Sequence, residues 1–165
     1  MRFFAVFALF LGACASPPPL PDRPAFPGKA AALDGAERLQ LYERYRLVPA
    51  ASGRAYGYAG VELPKSRLGD FLDAQGDTVG AQWARRGNAF IAAGWVLAAL
   101  LEGGAVALAA QTPEGQAARN AWWLALAPSA LLGWSFHGFG DGWFRRPAAA
   151  RYNLQLKRDL NLTRE

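Results

Sequence analysis

The residues able to do chemistry are few and far apart. Cys14 is the only thiol and His137 the only imidazole, and a lone cysteine excludes an internal disulfide and any cysteine-rich metal site. Glu102 is a carboxylate within a long apolar stretch. At mid-membrane depth such a group costs a few kcal/mol unless it is neutralised, hydrated or paired, which makes it a proton- or ion-handling candidate by default. Ser135 and His137 stand two apart and face different sides of a helix, and Asp141 follows only after Gly138 and Gly140, which are expected to end that helix. No catalytic triad is assembled this way. The run Gly138-Phe139-Gly140-Asp141-Gly142 has the glycine content of a phosphate loop, but it follows an apolar helix rather than a strand and lacks the lysine, so it reads as an interfacial hinge. Asp70, Asp73 and Asp77 share a possible helix face, yet three monodentate carboxylates without a defined loop make a poor calcium cage, and a solvated face is expected. These residues point to no enzyme, no metal and no cofactor.

The setting of Cys14 says more than its count. Arg2 is followed by an uncharged apolar run, Phe3 to Ala13, of the length expected for a signal peptide and too short to span a bilayer. The run ends in Leu11-Gly12-Ala13-Cys14, which resembles the lipobox of bacterial lipoproteins. The resemblance covers only the start of the chain, to about residue 16. It implies cleavage between Ala13 and Cys14, a diacylglyceryl group on the thiol and usually a fatty acyl chain such as palmitate on the new amino terminus. It also implies a cell-envelope membrane protein facing the periplasm or exterior. Ala15 and Ser16 resemble the pattern of lipoproteins forwarded to an outer membrane, with inner and outer membrane both left open. Ordinary signal cleavage after Ala15 is the competing reading, since Ala13-Cys14-Ala15 also fits the small-x-small rule.

The chain has 165 residues, 52% of them hydrophobic, with six Trp and ten Phe, too apolar for a disordered protein. Its 18 Lys and Arg against 13 Asp and Glu are scattered rather than gathered on one face, which argues against nucleic acid and for membrane lipids as the counter-charge. Between Gly87 and Phe139 the only charges are Glu102, Glu114 and Arg119. That contrast divides the chain into a signal peptide (1–13), a lipidated cysteine with a proline-rich tether (14–32), a small helical exported segment (33–87), a two-helix membrane hairpin (88–139) and an interfacial tail (140–165).

The fold class expected is mainly α: a membrane hairpin of two hydrophobic helices, short surface helices before it and an amphipathic helix after it. Asp34 and Glu37 have the spacing of a capping box, so a helix is expected from Gly35 to about Leu47. Arg54 to Leu63 could be a strand or an extended loop closed by Pro64, and a sheet is not expected. Ser66 could cap a helix carrying Leu68, Phe71 and Leu72, broken near Gly76 and Asp77. Asn88 to Ala110 and Ala121 to Phe139 are each long enough to cross ~30 Å of hydrocarbon. Trp122 and Trp123 would mark one interface, and Trp83, Trp143, Arg85, Arg86, Arg145 and Arg146 the other. Export of Cys14 puts most of those arginines outside, against the positive-inside rule. A hairpin buried in a small soluble protein is the alternative, although little polar sequence remains to cover it.

Ala92, Ala99, Gly103 and Ala110 form a smooth stripe on the first helix, against which the second is expected to pack. Pro128 frees a carbonyl and should kink the second helix. Folding the hairpin about its turn brings Glu102 level with Pro128 and Ser129, so a hydrogen bond to Ser129, or from a protonated Glu102 to the carbonyl freed by Pro128, is expected, while His137 lies ~12 Å away in depth. Tyr152, Leu156 and Leu160 are spaced for one face of a final helix on the headgroups, with a strand as the alternative. The functional expectation is a lipid-anchored scaffold or partner-binding protein, its partner a membrane protein or a second copy. The rivals are a subunit of an envelope transport complex using Glu102 and an exported binding module using Arg54 to Gly60.

Overall fold

The computed structural model describes residues 19–21, 33–111 and 116–162, and of residues 108–111 and 116–126 the backbone alone. Helix α1 (Gly35–Tyr45) is closed at its start by the expected capping box: Glu37 N donates to Asp34 Oδ1 at 2.7 Å, and Asp34 N donates to Glu37 Oε2 at 3.1 Å. Each bond satisfies a donor that the first helical turn leaves unpaired.

A sheet follows, contrary to the sequence expectation. Strands β1 (Val48–Pro49), β2 (Ala55–Tyr58) and β3 (Val61–Pro64) form an antiparallel sheet in the order β1-β2-β3. Tyr58 pairs with Val61 across Ala59 and Gly60, both at positive φ, the backbone of a two-residue hairpin whose twist matches its strands. Tyr56, Tyr58 and Leu63 turn inward, so the sheet is held by its aromatic face.

A 3-10 turn (Lys65–Arg67) leads into α2 (Leu68–Ala74), which carries no side-chain cap, so Ser66 does not play the role expected of it. Gly76, at φ 84, ends α2, and Asp77 N bonds back to Leu72 O at 2.9 Å. Asp77 then caps the next helix through Gly80 N at 2.9 Å. That helix, α3 (Thr78–Gln111), absorbs the short surface helix and the first apolar stretch into one rod. Helix α4 (Gln116–Gly140) continues through Pro128 and, by way of a π-helical turn (Asp141–Arg145), into α5 (Arg146–Asp159). Gly138 and Gly140 therefore end no helix, and the expected hinge is helical throughout.

The protein is mainly helical, as expected. Among the described residues one helix, Thr78–Ala107, is long and apolar enough to cross a membrane, where the sequence reading expects two. Its lower end belongs to a folded core. Ala81 and Ala84 are buried there with Tyr58, Phe71, Leu72, Tyr152, Leu156 and Leu160, and Leu20 packs against the same cluster. Phe71 meets Tyr58 edge-on at 4.7 Å and Tyr152 at 5.5 Å. The α5 face expected to rest on headgroups is thus buried against the sheet and α2. Asn153 fastens it there, donating to Leu47 O at 2.9 Å and accepting from Leu47 N at 2.8 Å.

Above this core α3 and α4 run antiparallel in close contact. The seam on α3 is Gly87, Ile91, Gly94 and Ala98, all buried. Ala92, Ala99 and Gly103 are exposed, and a Cβ on Gly103 would meet nothing within 4 Å. The seam lies elsewhere because Phe136 fills the space at Gly94, and Gly87 lets the carbonyl of Gly140 approach. Ala110 has no described side chain. A Cβ at Gly87 would sit 2.8 Å from Gly140 O, which forces backbone apart. Gly87→Ala is expected to lower stability by ~1–3 kcal/mol, whereas Gly103→Ala should leave it equal or slightly raised; thermal unfolding in detergent followed by circular dichroism separates the two.

Candidate functional site

Where the helix pair meets the core, polar side chains from three parts of the chain converge. The 3-10 turn supplies Lys65, α3 supplies Asn88, and the π turn supplies Asp141 and Arg145. Lys65 Nζ bonds Asp141 Oδ2 at 2.7 Å with both side chains about nine-tenths buried, and Arg146 Nε reaches the same oxygen at 3.2 Å from the exposed side. Arg145 donates through Nε and a terminal nitrogen to Asn88 Oδ1, the Nε bond measuring 2.8 Å. Asn88 in turn donates to Ser66 O at 2.7 Å. The wider π turn lets Asp141 and Arg145 both face inward, the kind of local irregularity that helices keep at functional or junction sites.

The electrostatics follow from burial. Desolvation pulls the Arg145 pKa below its ordinary value, opposed by the Asp141 charge. Tyr56 stands beside this group with Lys65 Nζ 5.7 Å from its ring centroid. Burial, then the Asp141 charge, pushes its hydroxyl pKa up to about 12, against smaller lowering effects of Arg146 and Arg145. Among the described residues, Tyr56 Oη and Asp141 Oδ1 are buried without a hydrogen-bond partner. Beside a phenol held neutral, a carboxylate paired with two cations joins the 3-10 turn to the π turn, a geometry suited to clamping.

The remaining candidates are dispersed. Ser129, fully buried, donates to Glu102 Oε1 at 2.8 Å, the bond expected from folding the hairpin. Exposed His137 is far along α4 from this pair, and Ser135 bonds its own helix at Leu131 O, 2.7 Å away. Asp70 and Asp73 hold Arg85 at 3.3 and 2.9 Å, while Asp77 is 4% exposed and holds Arg151 at 3.1 Å. Asp70 and Asp73 are exposed, as a solvated face predicts, whereas Asp77 is buried. Among the described residues no three acid, cysteine or histidine side chains gather for a metal ion. Trp83, Trp143 and Arg146 are exposed near the base of the helix pair, whereas Arg145, expected as a surface anchor, is buried. Ala13 and Cys14 lie outside the described residues, as do the side chains of Trp122 and Trp123.

Sequence reasoning missed the Lys65–Asp141 pair. Its one available signal was an aspartate set between glycines at the end of an apolar stretch, followed by two arginines. No protein-family model, curated protein or solved structure matches this chain.

Two outcomes check this electrostatic picture. Asp141→Asn strands the Lys65 charge and is expected to cost ~3–5 kcal/mol, while pairing Lys65→Met with Asp141→Leu should restore most of it; denaturant titration measures both. Because the folded state favours neutral Tyr56, its contribution is full below pH 10 and lost as the pH rises to 12, ~2–3 kcal/mol in all. Tyr56→Phe should therefore lose less stability than the parent protein over that interval.

Proposed function

We propose that this chain is a lipid-anchored bacterial envelope protein that holds a small folded unit against a membrane for a partner there, and performs no catalysis. The observation that carries this reading is the state of α3. Its lower end is consumed by the core, yet over its most apolar window of 18 residues only 17% is buried. Trp95, Val96, Leu97, Leu100, Leu101 and Val106 are exposed in the fold, and a bilayer is the solvent that accepts such a surface on all sides.

The finer reading is that α4 inserts beside α3. From Gly87 to Gln111 and from Gln116 to Gly140 each helix rises ~36 Å, enough for ~30 Å of hydrocarbon with tilt. Exposed Leu131, Trp134 and Phe139 on α4 fit the same environment. The Glu102–Ser129 bond supports it as well, since a carboxyl at that depth needs a partner. The core then sits on the side to which Cys14 is exported. Leu20 packs against that core, and the six residues from Cys14 span at most ~22 Å when extended, so an acylated Cys14 reaches the leaflet that borders the core. Three of the cations that oppose the positive-inside rule are ion-paired at the surface: Arg85 with Asp70 and Asp73, Arg146 with Asp141, and Arg151 with Asp77.

Mass spectrometry of the mature protein is expected to find an acylated cysteine at the amino terminus. Cys14→Ser should abolish the modification while the protein stays in the membrane pellet after carbonate washing. An unmodified thiol removes the lipoprotein reading, and release by carbonate of the Ser variant removes the membrane helices.

A further inference from the structure

Below the point where the helix pair leaves the core, a groove opens between α3 and the outer face of α5. It has a volume of about 580 Å³, and its walls include Trp83, Pro147, Ala150 and Leu154, with Arg151 and Arg158 along one side. That volume is in the range of small-molecule sites, and the two kinds of wall call for an amphiphile of opposite charge.

We infer that this groove takes the headgroup of an anionic phospholipid from the leaflet that borders the core, an inference that rests on the membrane reading above. Charge is the first reason. Arg151 and Arg158 stand seven residues apart on α5 and so share a face. Asp77 orients the Arg151 guanidinium through Nε at 3.1 Å, but its own side chain is 3% exposed while that of Arg151 is 47% exposed. The positive charge thus faces the groove and its acid does not.

Position is the second reason. Trp83 lies one turn before Gly87, and Pro147 follows the π turn after Gly140, and Gly87 and Gly140 are in contact. The upper end of the groove therefore opens at the level where hydrocarbon gives way to headgroups. Trp83, 37% exposed, and Leu154, 54% exposed, supply the apolar contact that a glycerol backbone and the start of an acyl chain require. Tryptophan is the residue that favours that depth, and basic pockets beside membrane helices are suited to acidic lipid headgroups.

The test uses the full chain, reconstituted in phosphatidylcholine nanodiscs with and without a minor fraction of phosphatidylglycerol, with retained lipid read by native mass spectrometry. Preferential retention of phosphatidylglycerol is expected. Arg158→Gln and Ala150→Glu, both at exposed positions, should each weaken it about fivefold, the effect of one charge at an anionic surface, and Arg158→Lys should preserve it. Thermal unfolding of each variant confirms an intact fold. Equal retention of the two lipids, or variants that behave as the parent, overturns the inference while leaving the membrane reading in place. Displacement of the lipid by inorganic phosphate at equal concentration overturns it in favour of a free-anion site. Failure of the protein to enter phosphatidylcholine nanodiscs at all removes the membrane reading and this inference together.

Discussion

Helix α3 has to satisfy two environments along one rod, and most of the fold answers that requirement. Up to Gly87 its buried positions, Gly80, Ala81, Ala84 and Gly87, are small, which lets α2 and α5 come close enough to share the aromatic cluster of Tyr58, Phe71 and Tyr152. Beyond Asn88 and Phe90, which still meet the 3-10 and π turns, its packing among the described residues is mainly against α4, and most of the remaining surface is apolar and exposed. Small residues serve both halves: they admit close packing below, and above they let Phe136 and the backbone of Gly140 approach. Protein interiors are dense enough that one added methyl at such a contact is felt.

The clamp at Lys65, Asn88, Asp141 and Arg145 makes the two halves one body. It joins the end of the sheet, the first third of α3 and the turn between α4 and α5 at the level where the exposed apolar surface begins. A buried ion pair is a modest source of net stability, because desolvation offsets much of the attraction. Its geometric effect is larger. With Lys65 and Arg146 on one carboxylate oxygen, the π turn has a defined orientation, so α5 is aimed back into the core while α4 stays aligned with α3.

Features written in local spacing were legible in the sequence. The Asp34–Glu37 box, the Tyr152, Leu156 and Leu160 face of the last helix and the Glu102–Ser129 contact follow from helical periodicity and a hairpin fold alone. The sheet was not legible, because its strands are two to four residues long, contain Gly57 and Pro49, and gain their stability from Tyr56 and Tyr58 meeting helices remote in sequence. The helix seam was misplaced for a related reason. Small residues occur on nearly every side of α3, so the stripe that packs is chosen by bulky partners on α4, Phe136 above all. Asp141 was hidden by its glycine neighbours, which locally signal a break, while the tertiary pairing with Lys65 keeps the backbone helical.

Nitroxide labels placed singly along α3 in a Cys14→Ser background, in nanodiscs, report whether the helix above Gly87 lies in lipid. At Leu100, collision with oxygen should be high and with a water-soluble nickel chelate low, and a label at Leu39 on α1 should give the reverse. A label at Leu100 as open to the chelate as one at Leu39 would contradict the account.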